Sequence, residues 1–378
     1  MKRIVNLLKA ALYIALDLAA YICSAFADIP PRLWLISERG FDARDNGYWF
    51  YKYLTENHTE IHPVYVISRD SADFSRIEAL GEWVEYGSWK HRLYMMSAEV
   101  LISTHDCGYA PDSVIYHHLR KMRLFSPRGK TVFLQHGVSD KEIKWYFRSE
   151  CRPDLFITVG EEEAELITKI HGQPENVVVQ TGFPRFDSLD NDLEEDLVLL
   201  MPTWRQFLVG LDEDEFLRSD YYCQLTSLLK DERLARLLEA NGFKLVFYPH
   251  IEMQRFFEAA CGGACASMRT DDVQTLLKRC KILITDYSSV YFDAAYMDKK
   301  ILFFQFDRER FEGEHYKKCL IDHSRFGRIC RTREELIEGL KDAVKGVGDW
   351  KNDQKEFFRY HDRNNCKRVF EAIGDLLH

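Results

Sequence analysis

Short runs of β-branched and aromatic residues alternate with helical stretches from Arg32 onward, and this alternation constrains the fold more than any other feature. Strands that alternate with helices indicate parallel sheets with helical crossover connections. Two runs, Val198–Met201 and Ile282–Ile284, are continuously apolar, as in strands that are covered on both faces. The predicted strands are Leu33–Ile36, Val64–Ile67, Val100–Ser103, Thr131–Leu134, Leu155–Val159, Val177–Gln180, Leu197–Met201, Lys244–Tyr248, Lys281–Thr285 and Ile301–Phe304.

An acidic linker, Asp190–Asp196, divides this pattern into two halves. A chain of 378 residues is long enough for two buried cores. The sequence therefore predicts an α/β protein with one domain over residues 28–189 and a second over residues 190–378. The predicted helices include Asn46–Thr55, Glu161–His171, Tyr221–Asn241, Val273–Lys278, Ser289–Met297 and Gln354–His378.

Residues 1–27 predict an amphipathic helix that associates with a membrane. Ile4–Phe26 is the one long apolar stretch of the chain, and its polar positions recur along one helical face. These positions are Lys2, Asn6, Lys9, Tyr13, Asp17 and Ser24. A helix that lies in the headgroup plane explains why Lys9 and Asp17 share a stripe, whereas a spanning helix does not. Packing on the protein's own surface stays open as an alternative, and a signal peptide is disfavoured because Lys9 and Asp17 interrupt its apolar region.

Charge and cysteine usage exclude several classes of function. Asp and Glu outnumber Lys and Arg by 60 to 51, giving a net charge of −9, so the basic footprint of a nucleic-acid-binding protein is missing. None of the ten cysteines forms a C-x-x-C pair, and Cys261 and Cys265 alone cannot supply four zinc ligands. The cysteines are expected to be reduced cytosolic thiols, mostly buried.

Polar residues directly follow five of the predicted strands. Ligands bind beyond the carboxyl ends of the strands in open α/β sheets. One such segment would mean little, but five together predict a ligand site. The segments are Gln135-His136-Gly137, Thr181-Gly182-Phe183-Pro184-Arg185, Pro202-Thr203-Trp204-Arg205, Pro249-His250 and Asp286-Tyr287-Ser288-Ser289.

The two histidines of these segments are candidates for proton transfer and phosphate binding. An imidazole can accept a hydroxyl proton near neutrality, and Gly137 lets a substrate approach the backbone beside His136. His250 follows Pro249 in a rigid turn, where it could donate to a phosphate oxygen or bond a carbonyl. The alternative for each histidine is a structural role, in which neighbouring groups of the protein take up its hydrogen bonds. This is the commoner case for a histidine that stands alone at a strand end.

Hydroxyl and guanidinium groups supply the other candidates for phosphate binding. Ser288 and Ser289 open a predicted helix, where hydroxyls and free N–H groups suit a phosphate. The structural alternative is that Asp286 or Ser288 only caps the N-terminus of that helix. Arg205 suits bidentate phosphate binding, and Arg185 is a weaker candidate, although either could form an ion pair instead.

Other sequence motifs that would indicate a different function are absent or have a structural explanation. The chain has no G-x-x-x-x-G-K-[ST] loop and no G-x-G-x-x-G fingerprint, so ATPase and dehydrogenase functions lose their main support. Asp212-Glu213-Asp214 and Glu161-Glu162-Glu163 are predicted to be acidic first turns of helices. Tyr116-His117-His118-Leu119 suggests a metal site, but adjacent helical residues point apart and no third ligand is in register. No metal site or cofactor is expected, although Mg²⁺ carried by substrate phosphates would leave no motif.

The ordered set of motifs resembles the CDP-glycerol glycerophosphotransferases, the teichoic-acid primases and polymerases. The resemblance covers roughly residues 130–340 and implies two Rossmann-type domains in a GT-B-like arrangement. The matching segments are Gln135–Gly137, Ile157–Gly160, Thr181–Asp187, Pro202–Arg205, Pro249–His250 and Thr285–Asp293.

This resemblance implies transfer of a polyol phosphate from CDP-glycerol or CDP-ribitol to a hydroxyl of a lipid-linked glycan or teichoic-acid-type acceptor, with release of CMP. The enzyme would work at the cytoplasmic face of the cell membrane, as a peripheral or monotopic protein. His136 matches the family's proposed base, and His250 matches the histidine near the donor pyrophosphate. The residues implied to hold or orient the donor phosphates are Arg205, Asp286, Ser288 and Ser289.

Two departures from the family pattern favour a primase-like or single-addition enzyme, or a capsule or surface-glycan variant. The chain reads Gln135-His136-Gly137-Val138-Ser139, where the polymerases usually carry Trp-His-Gly-Thr-Pro, and it lacks the large N-terminal extension of some polymerases. Two other functions remain open. A GT-B glycosyltransferase would use the same fold with a nucleotide sugar, and an inactive relative would serve as a membrane scaffold.

Overall fold

The structure of the protein is a computed structural model, and it describes residues 2–121, 127–250, 253–257, 272–314, 319–348, 350 and 354–378. Cys261 and Cys265 lie outside this part of the chain. The chain forms two compact units. The first unit comprises Met1–Val138, Ile143–Ser188 and Asp362–His378, and the second comprises Ser139–Glu142 and Leu189–His361. Residues 362–378 thus belong to the first unit, whereas the sequence predicted a single C-terminal domain over residues 190–378.

A seven-stranded parallel sheet forms the centre of the first unit, in the order β3-β2-β1-β4-β5-β6-β7. Its strands are β1 (Leu33–Ser37), β2 (His62–Ile67), β3 (Trp83–Glu85), β4 (Val100–Ser103), β5 (Lys130–Phe133), β6 (Leu155–Thr158) and β7 (Val178–Gln180). The strand order reverses between β1 and β4, which pair in parallel. Ligands of open α/β sheets bind at such a reversal, outside the carboxyl ends of the strands.

A five-stranded parallel sheet forms the centre of the second unit, in the order β12-β11-β10-β8-β9. Its strands are β8 (Leu197–Leu200), β9 (Lys244–Phe247), β10 (Ile282–Thr285), β11 (Lys300–Phe304) and β12 (Arg328–Cys330). The order reverses between β8 and β10, and every residue of these two strands is buried. Their continuously apolar sequences are explained by this coverage on both faces.

All ten predicted strands are present, each within two residues of its predicted bounds, and every strand pair in the two sheets is parallel. The sequence missed β3 and β12. Each has only three residues and includes a charged residue, Glu85 or Arg328, so neither shows the apolar run by which the other strands were found.

The helices cover the sheets and fill the crossover connections. They are α1 (Lys2–Cys23), α2 (Asn46–Asn57), α3 (Phe74–Glu78), α4 (Trp89–Ser97), α5 (Ser113–Lys121), α6 (Glu161–Lys169), α7 (Glu213–Leu217), α8 (Asp220–Leu229), α9 (Glu232–Ala240), α10 (Gln254–Phe257), α11 (Val273–Arg279), α12 (Val290–Tyr296), α13 (Arg308–Glu314), α14 (Arg333–Lys345), α15 (Gln354–Phe357) and α16 (Asn365–Leu377). Short 3-10 helices occur at Lys144–Tyr146, Pro184–Ser188, Gln206–Leu208 and His323–Arg325.

Two predicted helices are each divided in the structure. Tyr221–Asn241 splits into α8 and α9, since α8 ends at Leu229 with Lys230 as its C-cap and the Asp231 side chain caps the N-terminus of α9. Gln354–His378 splits into α15 and α16, with residues 358–364 between them. The two acidic triplets lie where the sequence predicted, since Asp212 forms a capping box with Glu215 and Glu161 begins α6.

Helix α1 packs on the surface of the first unit through Tyr13 and Asp17, two positions of the polar stripe predicted from the sequence. Asp17 forms a buried ion pair with Arg92 of α4, and the Tyr13 ring lies 4.7 Å from the same guanidinium. Leu12, Leu18 and Ile22 are exposed. None of the helices in the described ranges is long and apolar enough to cross a membrane.

Candidate active site

His136 follows β5 at the carboxyl edge of the first sheet, and the backbone before it has an unusual conformation. Gln135 has a φ of +59°, in the left-handed region that few residues other than glycine adopt. The Asn46 amide stabilises this turn by donating to the carbonyl oxygens of Leu134, at 3.2 Å, and Gln135, at 2.9 Å. The Gln135 side-chain amide donates hydrogen bonds to the Ile157 carbonyl oxygen and to the Glu163 carboxylate. The turn thus fixes the position from which His136 projects.

The His136 side chain is 67% exposed and makes one strong contact. Its Nδ1 lies 2.6 Å from Oδ2 of Asp45, the residue that caps α2. Arg185 completes the group, because its Nη1 lies 2.8 Å from Oδ1 of Asp45 and donates to the His136 carbonyl oxygen at 3.0 Å. The structure therefore brings together three of the predicted site residues, His136, Gly137 and Arg185, and adds Asp45.

The charges of this group fix which nitrogen of His136 can accept a proton. Burial alone would raise the pKa of Asp45, but Arg185 and His136 lower it to about 2, so Asp45 is ionised. An ionised carboxylate only accepts hydrogen bonds, so the Nδ1 atom of His136 carries a hydrogen. Nε2 of the neutral ring is then the proton acceptor. Desolvation acts to lower the pKa of His136, but the Asp45 carboxylate outweighs it and holds this pKa above 6.5.

Glu38 positions Asp45, and the sequence analysis missed both. The buried Glu38 carboxylate accepts hydrogen bonds from the backbone N–H groups of Arg44, Asp45 and Tyr48 at 3.1, 2.8 and 3.0 Å. Burial and the nearby Asp45 charge raise the pKa of Glu38 to about 7. Both residues follow β1, at the same sheet edge as His136. This position after a strand is the only feature of the sequence by which they could have been predicted as site residues.

A histidine that the sequence analysis did not single out, His105, lies beside His136. The ring centroids of His105 and His136 are 5.0 Å apart, and Nδ1 of His105 is 2.9 Å from the Thr104 hydroxyl. Burial and the nearby His136 lower the pKa of His105 to about 3, so its ring is neutral. His105 follows β4 directly, so the strand-end pattern that found His136 could also have found it.

Arg205, at the carboxyl edge of the second sheet, is completely buried, and its donors are already occupied. Its guanidinium forms ion pairs with Asp286 at 2.8 Å and Asp307 at 2.7 Å, and Nη1 donates to the Thr203 carbonyl oxygen at 2.9 Å. Burial acts to lower the pKa of Arg205, and the two carboxylates raise it above its ordinary value. This position disagrees with the predicted role as a direct phosphate ligand, because no open edge of the guanidinium is left for a phosphate.

Asp286 and the two serines adjoin this ion pair. Oδ1 of Asp286 accepts from the N–H groups of Thr203 and Tyr287 at 2.9 and 2.6 Å, so the carboxylate orients its own loop. Ser288 and Ser289 are partly exposed at the start of α12, and the Ser289 side chain makes no capping bond. Asp286 is thus placed to position the loop, whereas the serine hydroxyls remain candidates for phosphate binding.

His250 follows β9 and is half-buried, with its ring centroid 6.1 Å from that of Trp204. The loops after β8 and β9 therefore meet at this pair of rings. Since Arg205 joins the loops after β8 and β10, the second unit brings all of its predicted residues to one edge of the sheet.

Two groups of potential metal ligands occur in the described part of the chain, Asp106 with Cys107 and His117, and Asp140 with Cys319 and His323. The first group supplies the partners for His117 that the sequence analysis did not find. In both groups a cation already neutralises the carboxylate, since Arg120 contacts Asp106 and Lys141 contacts Asp140, each at 2.7 Å. A divalent cation would be repelled by these charges.

A family model described as CDP-Glycerol:Poly(glycerophosphate) glycerophosphotransferase matches residues 26–375. The chain is 28% identical over 366 residues to the minor teichoic acid biosynthesis protein GgaB of Bacillus subtilis (strain 168), covering 91% of this chain and 40% of that protein. It is 26% identical over 228 residues to the teichoic acid poly(glycerol phosphate) polymerase of the same strain, covering 54% of this chain and 29% of that protein. The chain thus spans less than half the length of these two curated relatives.

The fold is similar to a solved structure of the wall teichoic acid polymerase TagF. The TM-score is 0.70 at 17% sequence identity, and the match covers 100% of this chain and 95% of that chain. At this identity the match establishes a shared α/β fold with parallel sheets.

Proposed function

We propose, because this chain belongs to the CDP-glycerol:poly(glycerophosphate) glycerophosphotransferase family, that it transfers a polyol phosphate from a CDP-polyol to an acceptor hydroxyl and releases CMP. The donor is CDP-glycerol or the related CDP-ribitol, and the acceptor is a lipid-linked glycan of the teichoic-acid type. A single observation carries this proposal: an exposed His136 is held by an ionised Asp45 with its Nε2 atom left as a proton acceptor.

His136 acts as the general base in this reaction. Its Nε2 takes the proton of the acceptor hydroxyl as the hydroxyl oxygen attacks the phosphorus atom that carries the polyol. The bond between that phosphorus and the bridging oxygen breaks, and CMP leaves with the bond's electron pair. Asp45 stabilises the imidazolium that forms, and Arg185 keeps Asp45 ionised.

The second unit binds the donor. Ser288 and Ser289 offer hydroxyls and backbone N–H groups to the donor phosphates, and His250 adds a further hydrogen-bond donor. Arg205 and Asp286 keep the loops after β8 and β10 in place, since their ion pair joins the two loops. Phosphoryl transfer depends mainly on such positioning and on neutralisation of charge. Any Mg²⁺ at the site arrives with the donor phosphates.

Helix α1 attaches the protein to the cytoplasmic face of the membrane, where a lipid-linked acceptor lies. Leu12, Leu18 and Ile22 are exposed on α1, whereas Asp17 of the same helix and Ser24 directly after it are buried against the protein. Replacing all three apolar residues with Gln should abolish sedimentation with anionic vesicles, because the apolar contact with lipid is lost. The exposed Val209→Gln variant, in the second unit, is the control and should sediment as the wild type does. Unchanged sedimentation of the triple variant would reject α1 as the membrane contact.

The test of the reaction is CMP release from the purified protein, with CDP-glycerol and CDP-ribitol assayed in parallel and a lipid-linked disaccharide as acceptor. We expect acceptor-dependent CMP from one of the two donors. If the protein binds a CDP-polyol but releases no CMP with the acceptor present, it is a scaffold and the catalytic proposal is wrong. Binding and turnover of a nucleotide sugar instead would make the protein a glycosyltransferase.

A further inference from the structure

His105 lies where the strand order of the first sheet reverses, beside the proposed base. It is the second residue after β4, and β4 pairs with β1 on one side and with β5 on the other. His136 follows β5, and its partner Asp45 lies between β1 and α2. Ligands of open α/β sheets bind at such a reversal. The His105 ring, with its centroid 5.0 Å from that of His136, therefore adjoins the position at which a substrate hydroxyl reaches the base.

The backbone of His105 is fixed by hydrogen bonds at both its N–H and its carbonyl group. The Ser103 hydroxyl donates to the His105 carbonyl oxygen at 2.8 Å and accepts from the His105 N–H at 3.1 Å. The Gly108 N–H donates to the same carbonyl oxygen at 2.9 Å. A Cβ atom on Gly108 would clash with the Glu38 carbonyl oxygen, so this turn packs directly against the segment that follows β1. The His105 side chain thus projects from a rigid support, as a substrate-binding group requires.

One ring nitrogen of His105 is used by the protein, and the other is not. Nδ1 lies 2.9 Å from the buried Thr104 hydroxyl, and this contact is the one hydrogen bond of that hydroxyl among the described residues. The hydroxyl donates to Nδ1, because its hydrogen would otherwise be buried without an acceptor. Nε2 of His105 then carries the hydrogen of the ring. The ring is half-buried, and Nε2 is accessible and has no hydrogen-bond partner among the residues that the structure describes.

The two neighbouring histidines therefore offer opposite hydrogen-bonding groups. Nδ1 of His136 contacts the carboxylate of Asp45, so Nε2 of His136 accepts a proton. Nδ1 of His105 contacts a hydroxyl, so Nε2 of His105 donates. A molecule with a hydroxyl on one carbon and a second oxygen on the next carbon matches this pair, because the hydroxyl gives its proton to His136 and the second oxygen accepts from His105.

We propose that His105 binds the acceptor substrate, by donating a hydrogen bond from Nε2 to an oxygen atom next to the hydroxyl that His136 deprotonates. This inference rests on the proposed function. Sugars and polyols carry oxygen atoms on neighbouring carbons, so a glycan or polyol acceptor presents such an oxygen beside the attacking one. His105 is thus a binding residue for the acceptor, and His136 remains the base.

The test is the KM for the acceptor, measured by CMP release from the full chain with saturating donor and a lipid-linked disaccharide as acceptor. His105→Asn keeps an amide at the position of Nδ1 and lacks Nε2, whereas His105→Gln keeps an amide nitrogen at the position of Nε2. The Asn variant should have an acceptor KM about fivefold higher, as expected for one lost hydrogen bond, with kcat, donor affinity and thermal stability unchanged. The Gln variant should keep the acceptor KM of the wild type.

His62→Asn is the matched control, because His62 is a histidine of the same unit that is exposed and pairs with Glu82 at 2.8 Å. Its acceptor KM should equal that of the wild type. A higher acceptor KM in His105→Asn, restored in His105→Gln and absent from His62→Asn, assigns His105 to the acceptor.

The other outcomes separate this inference from the proposed function. If the wild type releases no acceptor-dependent CMP, the proposed function fails and this inference fails with it. If the wild type turns over but His105→Asn has an unchanged acceptor KM, the function stands and His105 does not bind the acceptor. A lower kcat alone would place His105 on the transferred phosphate and reject the proposal.

A structural role of His105 through Thr104 predicts the reverse order of the two variants. His105→Gln, which loses the contact at Nδ1, would then be impaired or less stable, and His105→Asn would resemble the wild type. Equal impairment of both variants would also reject the contact at Nε2.

Discussion

The loops that follow β5 and β8 each carry a charged residue predicted to act on the substrate, and the structure places the two in opposite environments. His136, after β5, is exposed and makes one strong side-chain contact, with Asp45. Arg205, after β8, is completely buried between Asp286 and Asp307. Both follow the carboxyl end of a strand in the middle of their sheet, so position at this edge is not what distinguishes them.

The difference lies in how many partners the neighbouring loops supply. The first unit provides one carboxylate for His136 and Arg185 to share, which leaves Nε2 of His136 available. The second unit provides two carboxylates and a carbonyl oxygen for Arg205, which occupies its donors. A polar residue at a ligand-facing edge is therefore available to a substrate only when its neighbours leave a polar atom unused.

The largest effect is expected for Arg205→Met. The change leaves Asp286 and Asp307 buried without their cation, which should cost about 3–5 kcal/mol of unfolding free energy. Urea denaturation measures this loss, and Arg218→Met is the control because Arg218 is exposed and its ion pair with Asp214 contributes little. A variant of wild-type stability that no longer binds the donor would instead make Arg205 a phosphate ligand and remove the contrast with His136.

The next effect is loss of turnover in His136→Ala. Removal of the general base should lower kcat about 10²- to 10⁴-fold, with donor affinity and unfolding free energy unchanged because the side chain is exposed. The matched control is His118→Ala, an exposed histidine of α5 whose ring contacts the Val114 carbonyl oxygen. Equal loss of donor affinity and kcat would show that His136 binds the donor and is not the base.

The sequence predicted the parts of this comparison that depend on local pattern. Apolar runs located ten strands, and the residues after them located His136, Arg205 and the two serines, because the carboxyl ends of parallel strands meet at one edge. Short strands such as β3 lacked an apolar run and were missed.

The partners could not be predicted, because they are distant in sequence. Asp45 lies 91 residues from His136, and Asp307 lies 102 residues from Arg205. Which carboxylate reaches which cation depends on the packing of loops that follow different strands, and a single sequence shows no signal of it. The same holds for α1, where the buried partner of Asp17, Arg92, is 75 residues away.

Asp45→Asn sharpens the comparison through pH dependence. In the wild type the Asp45 carboxylate raises the pKa of His136 above its ordinary value, so kcat/KM should rise with pH through this raised pKa as the ring loses its proton. The Asn variant lacks the charge that raises this pKa, so its acidic limb should move to lower pH, with a smaller loss of kcat than in His136→Ala. Asp42→Asn, in the same loop and paired with Arg39, is the control. An unmoved limb in Asp45→Asn would mean that another group sets the pH profile.

The smallest effect is expected for Ser289→Ala, and it tests whether the second unit keeps any polar atom for the donor. Ser289 precedes α12 without a capping bond, so its loss should leave the unfolding free energy unchanged while donor affinity falls about fivefold for one lost hydrogen bond. Ser219→Ala is the matched contrast, because the Ser219 hydroxyl does cap α8 by accepting from the Tyr222 N–H at 3.2 Å. That variant should lose about 1 kcal/mol of stability and no donor affinity. If Ser289→Ala behaves like Ser219→Ala, the serine is structural, and the second unit holds the donor through His250 and backbone N–H groups.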